Sequence, residues 1–168
     1  MPTLLIRKAT DQDFEGVWDI FHQVINAGDT YTYAPDTTKE EAYSLWMPPQ
    51  KETYVALINE TIVGTYFIRA NQPCLGAHIA NAAYMVHPDY RNHGIGKKMA
   101  LHSIEEAKAT GFSAMQFNIV VSTNESAVHL WKKVGFSIIG TTPKGFKHLS
   151  KGFVDTYIMY RPIIDSEV

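Results

Sequence analysis

The fold of this 168-residue chain is decided by the stretch Val86-His87-Pro88-Asp89-Tyr90-Arg91-Asn92-His93-Gly94-Ile95-Gly96-Lys97. It joins an apolar, strand-like run, Ile79 to Val86, to a helical run, Lys98 to Thr110. Gly94 and Gly96 lie where the strand must turn into the helix, and glycine tolerates positive φ and close approach of a ligand. Amides in the first helical turn have no partners inside the helix, and the helix dipole is positive there. The stretch therefore predicts a site for a phosphate or pyrophosphate group.

The spacing of these glycines separates the classes of phosphate ligand. A nucleoside-triphosphate loop needs G-x-x-x-x-G-K-[ST], but Arg91 stands at the first glycine position and Lys98 follows Lys97. A dinucleotide loop needs a third glycine where this chain has Met99, and it belongs to an opening βαβ unit. The pattern present is R-x-x-G-x-G over residues 91–96. An ordinary strand-to-helix loop is the alternative for this motif taken alone.

Composition limits the remaining possibilities. Hydrophobic residues make up 45% of the chain and aromatic residues 12%, which is enough for the core of one domain spanning residues 1–168. A net charge of −2 does not favour a nucleic-acid partner. A single cysteine, Cys74, excludes an internal disulfide. No apolar run is long enough to cross a membrane and no signal peptide is evident, so we expect a cytoplasmic protein.

Apolar periodicity predicts seven strands and four helices along the chain. The predicted strands are Thr3 to Ala9, Thr53 to Ile58, Ile62 to Ala70, Ala77 to Val86, Ala114 to Val121, Phe136 to Thr141 and Val154 to Tyr160. The predicted helices are Asp11 to Ala27, Thr38 to Trp46, Gly94 to Thr110 and Glu125 to Val134.

Two motifs in this order resemble the GCN5-related N-acetyltransferases, the GNAT superfamily. The first is R-x-x-G-x-G, and the second is Asn124 to Phe136, which fits N-x-x-A-x-x-L-[YW]-x-x-x-G-F. The resemblance covers Leu4 to about Pro162. It implies an α/β (α+β) GNAT fold, with a central mixed, mostly antiparallel sheet of about seven strands and about four flanking helices. It also implies an N-acetyltransferase that uses acetyl-CoA, acts on a small-molecule amine, requires no metal and is compatible with a homodimer.

The resemblance also assigns residues to the cofactor. The pyrophosphate would be held by the loop residues Arg91, Asn92, His93, Gly94, Ile95, Gly96 and Lys97. Lys97 is equally compatible with a solvated helix position. In the superfamily, a bulge in the preceding strand frees backbone N–H groups, which here fall near Met85 and Val86. One of these would stabilise the oxyanion and others would bind the pantetheine arm.

Asn124 and Trp131 in the second motif carry separate expectations. Asn124 precedes a helix, where asparagine is a favoured cap, and in many relatives this position also binds the cofactor arm. Many GNAT enzymes have a tyrosine at position 131 that protonates the leaving thiolate. The indole N–H of Trp131 is only a donor, so we expect this side chain to pack against the cofactor arm. The general base is open, because the strand from Ala77 to Tyr84 has no carboxylate, and His78 is either a base or a structural residue.

Two strand asparagines indicate where the acceptor binds. Asparagine is depleted in strands, and a buried amide must find partners. Asn81 lies among alanines, and Asn118 lies opposite in parity to Met115, Phe117 and Ile119. In the GNAT architecture these strands splay around the acetyl group, so both amides would face the cleft. The alternative is a pair of amides satisfied by the backbone.

The closest resemblance is to the fungal proline-analogue N-acetyltransferases, which act on azetidine-2-carboxylate. It rests on His78 to Ala82, Gln116 to Asn124 and Gly152 to Asp155. It implies acetylation of a small amino or imino acid, with Asn81 and Asn118 in substrate recognition and Asn118, Asn124 and the Met85 amide in catalysis. Tyr31, Tyr33 and Trp46 fall where relatives build the acceptor wall, unless they pack the first two helices. A protein N-terminus, a lysine, an amine antibiotic, or a non-catalytic acyl-CoA sensor stay open as alternatives.

Overall fold

A computed structural model describes residues 2–164 of the chain. This part of the chain contains seven strands and four α-helices. The strands are β1 Leu4–Lys8, β2 Glu52–Ile58, β3 Thr61–Ala70, β4 Ile79–Val86, β5 Ala114–Val121, β6 Ser137–His148 and β7 Gly152–Pro162. The helices are α1 Phe14–Ala27, α2 Lys39–Trp46, α3 Ile95–Thr110 and α4 Glu125–Lys133.

All seven strands form one sheet in the order β1-β2-β3-β4-β5-β7-β6. Every neighbouring pair is antiparallel except β4 and β5, which run parallel. That parallel pairing covers only Ile79 with Ala114 and Ala80 with Met115. Beyond these residues the two strands separate, which opens the middle of the sheet. The expected mixed, mostly antiparallel sheet with four helices is confirmed.

The sheet has a hydrophobic core on each face. On one face α1 and α2 cover β2 and β3, and this core includes Ile20, Phe21 and Trp46. On the other face α3 and α4 pack against the sheet, and this core includes Met99 and Phe117. Side chains alternate between the two faces along each strand. As a result, Ala83 and Met85 of β4 belong to the α1/α2 core, while Ala82, Tyr84 and Val86 belong to the α3/α4 core.

Capping residues fix the ends of the helices that flank the opening. Thr38 caps α2 through a capping box, in which its hydroxyl accepts from the Glu41 N–H at 3.2 Å and the Glu41 carboxylate accepts from the Thr38 N–H at 2.8 Å. Gly28 ends α1 in the left-handed conformation, with φ 62°. The chain leaves α1 there in the direction of the opening between β4 and β5.

Two sequence expectations about the strands differ from the structure. The last hairpin is longer than predicted, because Pro143-Lys144-Gly145 forms a bulge within β6 rather than ending it. Lys144 has φ 53°, and its N–H donates to Asp155 Oδ1 at 2.9 Å. In β5, a register shift between Phe117 and Val120 leaves Ile119 50% exposed, so its predicted alignment with Met115 and Phe117 is wrong.

Candidate active site

A cleft of about 810 Å³ occupies the opening between β4 and β5 and reaches both faces of the sheet. We call its two parts the α3 side and the α2 side. The α3 side is formed by residues 90–92 and 94–97 together with the start of α4. The α2 side is formed by the loop after α1, by the segment after α2 and by the ends of β3 and β4. The cleft therefore connects a helix N-terminus on one face with an aromatic and polar pocket on the other.

Backbone groups of β4 face the cleft because β5 turns away from them. The His87 N–H donates to Val63 and the Asn71 N–H donates to Ile79, both at 2.8 Å, and the register between β3 and β4 is continuous in between. In an antiparallel ladder, alternate residues face the partner strand. The odd-numbered residues of β4 therefore bond to β3, and the N–H and C=O groups of Ala82, Tyr84 and Val86 point toward the cleft.

This continuous register corrects the expected role of Met85. The structure has no bulge between β3 and β4, so nothing rotates the Met85 N–H away from Thr65, its partner on β3. The Met85 side chain is buried in the α1/α2 core, with 2% exposure. The N–H of Val86, the other residue expected there, does point toward the cleft. The divergence of β5 exposes the backbone donors of β4, and a bulge is not needed.

The Tyr31 hydroxyl occupies part of this free strand edge. It accepts from the Tyr84 N–H at 2.9 Å and donates to the Tyr84 carbonyl. Burial raises the pKa of the Tyr31 phenol above its ordinary value, so the hydroxyl keeps the proton that it donates. A side chain from the loop after α1 thus satisfies the two peptide groups that a neighbouring strand would otherwise bind.

The loop before α3 has the geometry that its glycines predict. Gly94 has φ 74°, and a Cβ placed on it would meet no atom within 4 Å, so the backbone is open to the cleft at this point. Asn92 is also in the left-handed region, with φ 65°. The helix begins at Ile95, and residues 94–97 line the cleft together with Arg91 and Asn92. Open first-turn amides and two cationic side chains, Arg91 and Lys97, fit a pyrophosphate group.

Asn124 and Trp131 lie against the cleft on the α3 side. Asn124 precedes α4, but its side chain makes no capping hydrogen bond; its Oδ1 instead accepts from the Ser126 hydroxyl at 3.3 Å. This leaves its amide N–H groups open to the cleft. Trp131 is 8% exposed, and its ring centroid lies 4.6 Å from that of Phe117 and 4.9 Å from that of Tyr84. Its packing role is compatible with one ring edge at the cleft wall.

The two predicted asparagines come together on the α2 side, within a network of amides. Asn81 Nδ2 donates to the Gln116 carbonyl at 3.0 Å and so bridges β4 to β5 where their pairing has ended. Asn118 Nδ2 donates to Asn71 Oδ1 at 2.7 Å, and its Oδ1 accepts from Gln116 Nε2 at 3.2 Å. Each amide has hydrogen-bonding capacity left over, and both line the cleft. The network fixes the orientation of both amides without using all of their hydrogen-bonding capacity.

Comparison with known proteins fits this arrangement. Residues 18–136 match the model of the acetyltransferase (GNAT) family. The chain belongs to the GNAT family.

It is 29% identical over 151 residues to the N-acetyltransferase aca1 of Schizosaccharomyces pombe, covering 80% of this chain and 72% of that one. A GNAT structure from Kribbella flavida is 41% identical, with a TM-score of 0.91 over 95% of this chain and 97% of that one. A shorter match, 31% over 67 residues, is to the L-amino acid N-acyltransferase MnaT of Escherichia coli, covering 40% of this chain and 38% of that one.

Membership in this family makes the chain an N-acetyltransferase, and GNAT acetyltransferases use acetyl-CoA. The features that fit this donor are the open Gly94 backbone, the unpaired β4 edge and the adjoining first turn of α3. Among residues 2–164, no three His, Cys, Asp or Glu side chains form a cluster able to hold a metal ion. Within the same range, no helix is long and apolar enough to cross a membrane.

Several residues named from the GNAT resemblance lie away from the cleft. Trp46 is fully buried, and its Nε1 donates to Thr65 Oγ1 at 3.0 Å, so it supports Tyr31 from behind rather than forming the wall itself. His93 does not line the cleft, because its ring turns back to the Arg91 carbonyl at 2.8 Å. His78 is exposed outside the cleft, which removes it as a candidate base.

The sequence analysis did not identify three charged residues that line the cleft of this GNAT protein. Arg69 lies opposite Asn81 in the β3–β4 register, and the sequence reasoning did not derive that register. Lys51 and Asp29 lie in loops, which have no such register. Asp29 follows the end of α1, and its Oδ1 is buried without a hydrogen-bond partner among the described residues. It is the only carboxylate among the described residues that line the cleft.

Proposed function

We propose that this enzyme acetylates the nitrogen of a small amino or imino acid by direct attack within a ternary complex. The observation that carries the proposal is the α2 side of the cleft, where Asn81 and Asn118 lie near the stacked rings of Tyr31 and Tyr33. Few, precisely held polar groups beside aromatic surface suit a small ligand that is partly apolar. With Asp29 as the only carboxylate described there, these residues do not form the acidic groove that a polycationic acceptor would favour.

The other side of the cleft would hold the donor. Acetyl-CoA supplies an activated acetyl thioester when it is bound. The first-turn amides of α3, with Arg91 and Lys97, would bind its pyrophosphate. The N–H groups of Ala82 and Val86 would donate to the pantetheine arm and to the acetyl carbonyl, where negative charge develops. Asn124 and Trp131 would line the channel between these two sites.

Direct attack by the acceptor nitrogen is supported by the side chains at hand. No cysteine or histidine is among the described residues that line the cleft, and Cys74 is exposed elsewhere. An acyl-enzyme route needs a nucleophile beside a base, and that pair is missing from this set. Trp131 cannot protonate the thiolate, but a thiol with a pKa of about 8.5 leaves without a dedicated acid.

The amino-acid acceptor has independent support from the relatives. One match of this chain carries the name L-amino acid N-acyltransferase, and it overlaps with 40% of the chain. The sequence also resembles the proline-analogue acetyltransferases in the segments that contain Asn81, Asn118 and Asn124. Both observations favour a small acceptor with a carboxylate over a protein N-terminus, a lysine or an amine antibiotic.

The test is release of free CoA from acetyl-CoA across a panel of acceptors. The panel contains free amino acids, cyclic imino acids, polyamines, aminoglycosides and N-terminal peptides, with products identified by mass spectrometry. We expect release that depends on an amino or imino acid, together with formation of its N-acetyl product. Release with only peptides, polyamines or aminoglycosides would overturn the proposed acceptor. Tight acetyl-CoA binding without turnover across the panel would favour the non-catalytic sensor instead.

A further inference from the structure

Two cationic side chains, Lys51 and Arg69, lie on the α2 side of the cleft, apart from Arg91 and Lys97 on the α3 side. The Lys51 ammonium group sits 4.0 Å from the centroid of the Phe67 ring and donates to the Leu45 carbonyl. Arg69 Nε lies 3.4 Å from Asn81 Oδ1. Among residues 2–164, neither cation forms an ion pair with a carboxylate. Both therefore keep donors that are free for a bound anion.

The electrostatics of this pocket reinforce that conclusion. Burial and, as the smaller cause, the positive charge of Arg69 together lower the pKa of Lys51 to about 8. Burial also raises the pKa of Tyr33, and the Arg69 charge opposes that rise. The charge of Arg69 thus influences the pKa of both Lys51 and Tyr33 within the same pocket. Lys51 is half-buried and Arg69 is exposed, and the repulsion between these two like charges is relieved by an anion placed between them.

The register of the sheet places this pair beside the amide network. Arg69 is opposite Asn81, and Phe67, which carries Lys51 on its face, is opposite Ala83 two residues farther along β4. Residues directly opposite in an antiparallel pair project to the same face. The guanidinium group, the ammonium group and the Asn81 amide therefore share the face of the sheet that the Tyr31 loop covers.

We propose that Lys51 and Arg69 bind the carboxylate of the acceptor and thereby select amino and imino acids over amines that lack one. The inference rests on the proposed function, which it makes more specific. An arginine guanidinium presents parallel N–H donors that match a carboxylate, and a lysine ammonium adds a point charge from a second direction. Asn81 acts as a positioning residue, since its Oδ1 holds Arg69 at Nε and leaves the terminal nitrogens free.

The test compares matched acceptors that differ only in the carboxylate. Suitable pairs are azetidine-2-carboxylate with azetidine, and proline with pyrrolidine. For the unmodified enzyme we expect kcat/KM to fall by about 10²-fold when the carboxylate is removed, as expected for the loss of charge-assisted hydrogen bonds. Arg69→Gln and Lys51→Met should each raise KM for the acids by about tenfold or more. They should leave kcat/KM for the amines unchanged, so that the preference for acids largely disappears.

Three controls keep the result interpretable. The Kd for acetyl-CoA should stay unchanged in both variants, because neither residue is on the α3 side. Lys108→Gln removes an exposed positive charge outside the cleft and should leave the acid preference intact. Arg69→Lys should recover part of the preference by restoring a charge without the bidentate geometry. If Lys51→Met does not fold, Arg69→Gln decides the question, since Arg69 is exposed and outside the core.

The outcomes separate this inference from the proposed function. If amino acids are acetylated but the variants keep the full acid preference, the carboxylate site is wrong and the proposed function stands. An unmodified enzyme that acetylates azetidine as well as azetidine-2-carboxylate would overturn the site in the same way. If no amino or imino acid is acetylated in the panel, the proposed function fails, and the carboxylate site fails with it.

Discussion

The two sides of the cleft are built from different parts of the chain. On the α3 side the groups proposed to face the donor are mostly backbone, presented by a loop with Gly94 in the left-handed region and by the first turn of a helix. On the α2 side they are side chains, such as Tyr31, Arg69, Asn81 and Asn118, supplied by a loop and three strands. The geometry of the α3 side depends on the conformation of the backbone. The chemistry of the α2 side depends on the identity of residues that are far apart in the sequence.

This difference separates binding of the acetyl donor, which is general to the family, from selection of the acceptor, which is particular to each enzyme. A backbone cradle requires glycine at fixed spacing, and many sequences that meet this requirement hold the same donor. A pocket of side chains is changed by single substitutions that leave the fold intact. The donor of this enzyme is thus shared across its family, while under the proposed function the acceptor would depend on a few residues of the α2 side.

The largest effect should follow from Gly94→Asp, which tests the backbone side alone. The new carboxylate would face the pyrophosphate, and like charges at about 4 Å repel by several kcal/mol, so we expect the acetyl-CoA Kd to rise by about 10²-fold or more. Isothermal titration measures it. Gly94→Asn is the matched control, because asparagine has the same shape, has no charge and tolerates this conformation, as Asn92 does at φ 65°.

A second control lies at the other end of the same helix. Gly111 has φ 97°, and a Cβ there meets no atom within 4 Å, so Gly111→Asp adds the same charge and similar strain away from the cleft. Its acetyl-CoA affinity should match that of the unmodified enzyme. Equal losses at Gly94 and Gly111 would mean that strain, not charge at a phosphate site, explains the result, and the backbone cradle would be wrong.

An intermediate effect on activity is expected from Asn118→Ala, which tests the side chains of the α2 side. Removing this amide should lower kcat/KM for the acceptor by about tenfold, as expected for one or two lost hydrogen bonds, without a change in acetyl-CoA Kd. Steady-state kinetics with varied acceptor measures this. Asn71→Ala, which removes only the partner at 2.7 Å, should produce a smaller loss. A lower melting temperature with normal kinetics would instead make Asn118 a structural residue.

The smallest effect on turnover is expected from Trp131→Phe, at the boundary between the two sides. Phenylalanine keeps an aromatic ring against Phe117 and Tyr84, so kcat should stay within a few-fold while the melting temperature falls. Phe136→Leu removes ring contacts from the same cluster outside the cleft lining and should destabilise the fold similarly. A kcat loss of about 10²-fold in Trp131→Phe alone, typical of a lost acid–base group, would contradict the packing role.

Periodicity predicted the positions of the helices and strands, and the GNAT resemblance implied the mixed, mostly antiparallel sheet, which is confirmed. Helix ends and the Gly94 turn follow from patterns within a few neighbouring residues, whereas the order of the strands in the sheet does not. The Met85 amide was misplaced because its direction depends on the register with β3 and on the path of β5, which are long-range properties. Trp46 was misplaced for a related reason: an aromatic residue near a cleft supports the wall or forms it, and only packing decides which.

The α2 side was only partly predictable. Asn81 and Asn118 could be found because asparagine is unusual within a strand. Lys51 could not, because a lysine after Pro48-Pro49 looks like any solvated loop residue, and its half-burial over Phe67 arises from tertiary packing. Arg69 is an intermediate case, since it lies on a predicted strand but its place opposite Asn81 depends on the β3–β4 register, which the sequence reasoning did not derive.

Tyr31 has a consequence for how such enzymes diversify. The segment after α1 reaches β4 through one hydroxyl, at a place where a strand would need a series of peptide hydrogen bonds in fixed register. Tyr31 and Tyr33 also pack against the α1/α2 core, so exposed positions beside them, such as Thr32, are the ones expected to tolerate substitution. We therefore expect that substitutions near Tyr31 can change the acceptor without disturbing the sheet or the donor site. Mutational libraries aimed at new acceptors should keep Tyr31 fixed and vary its neighbours.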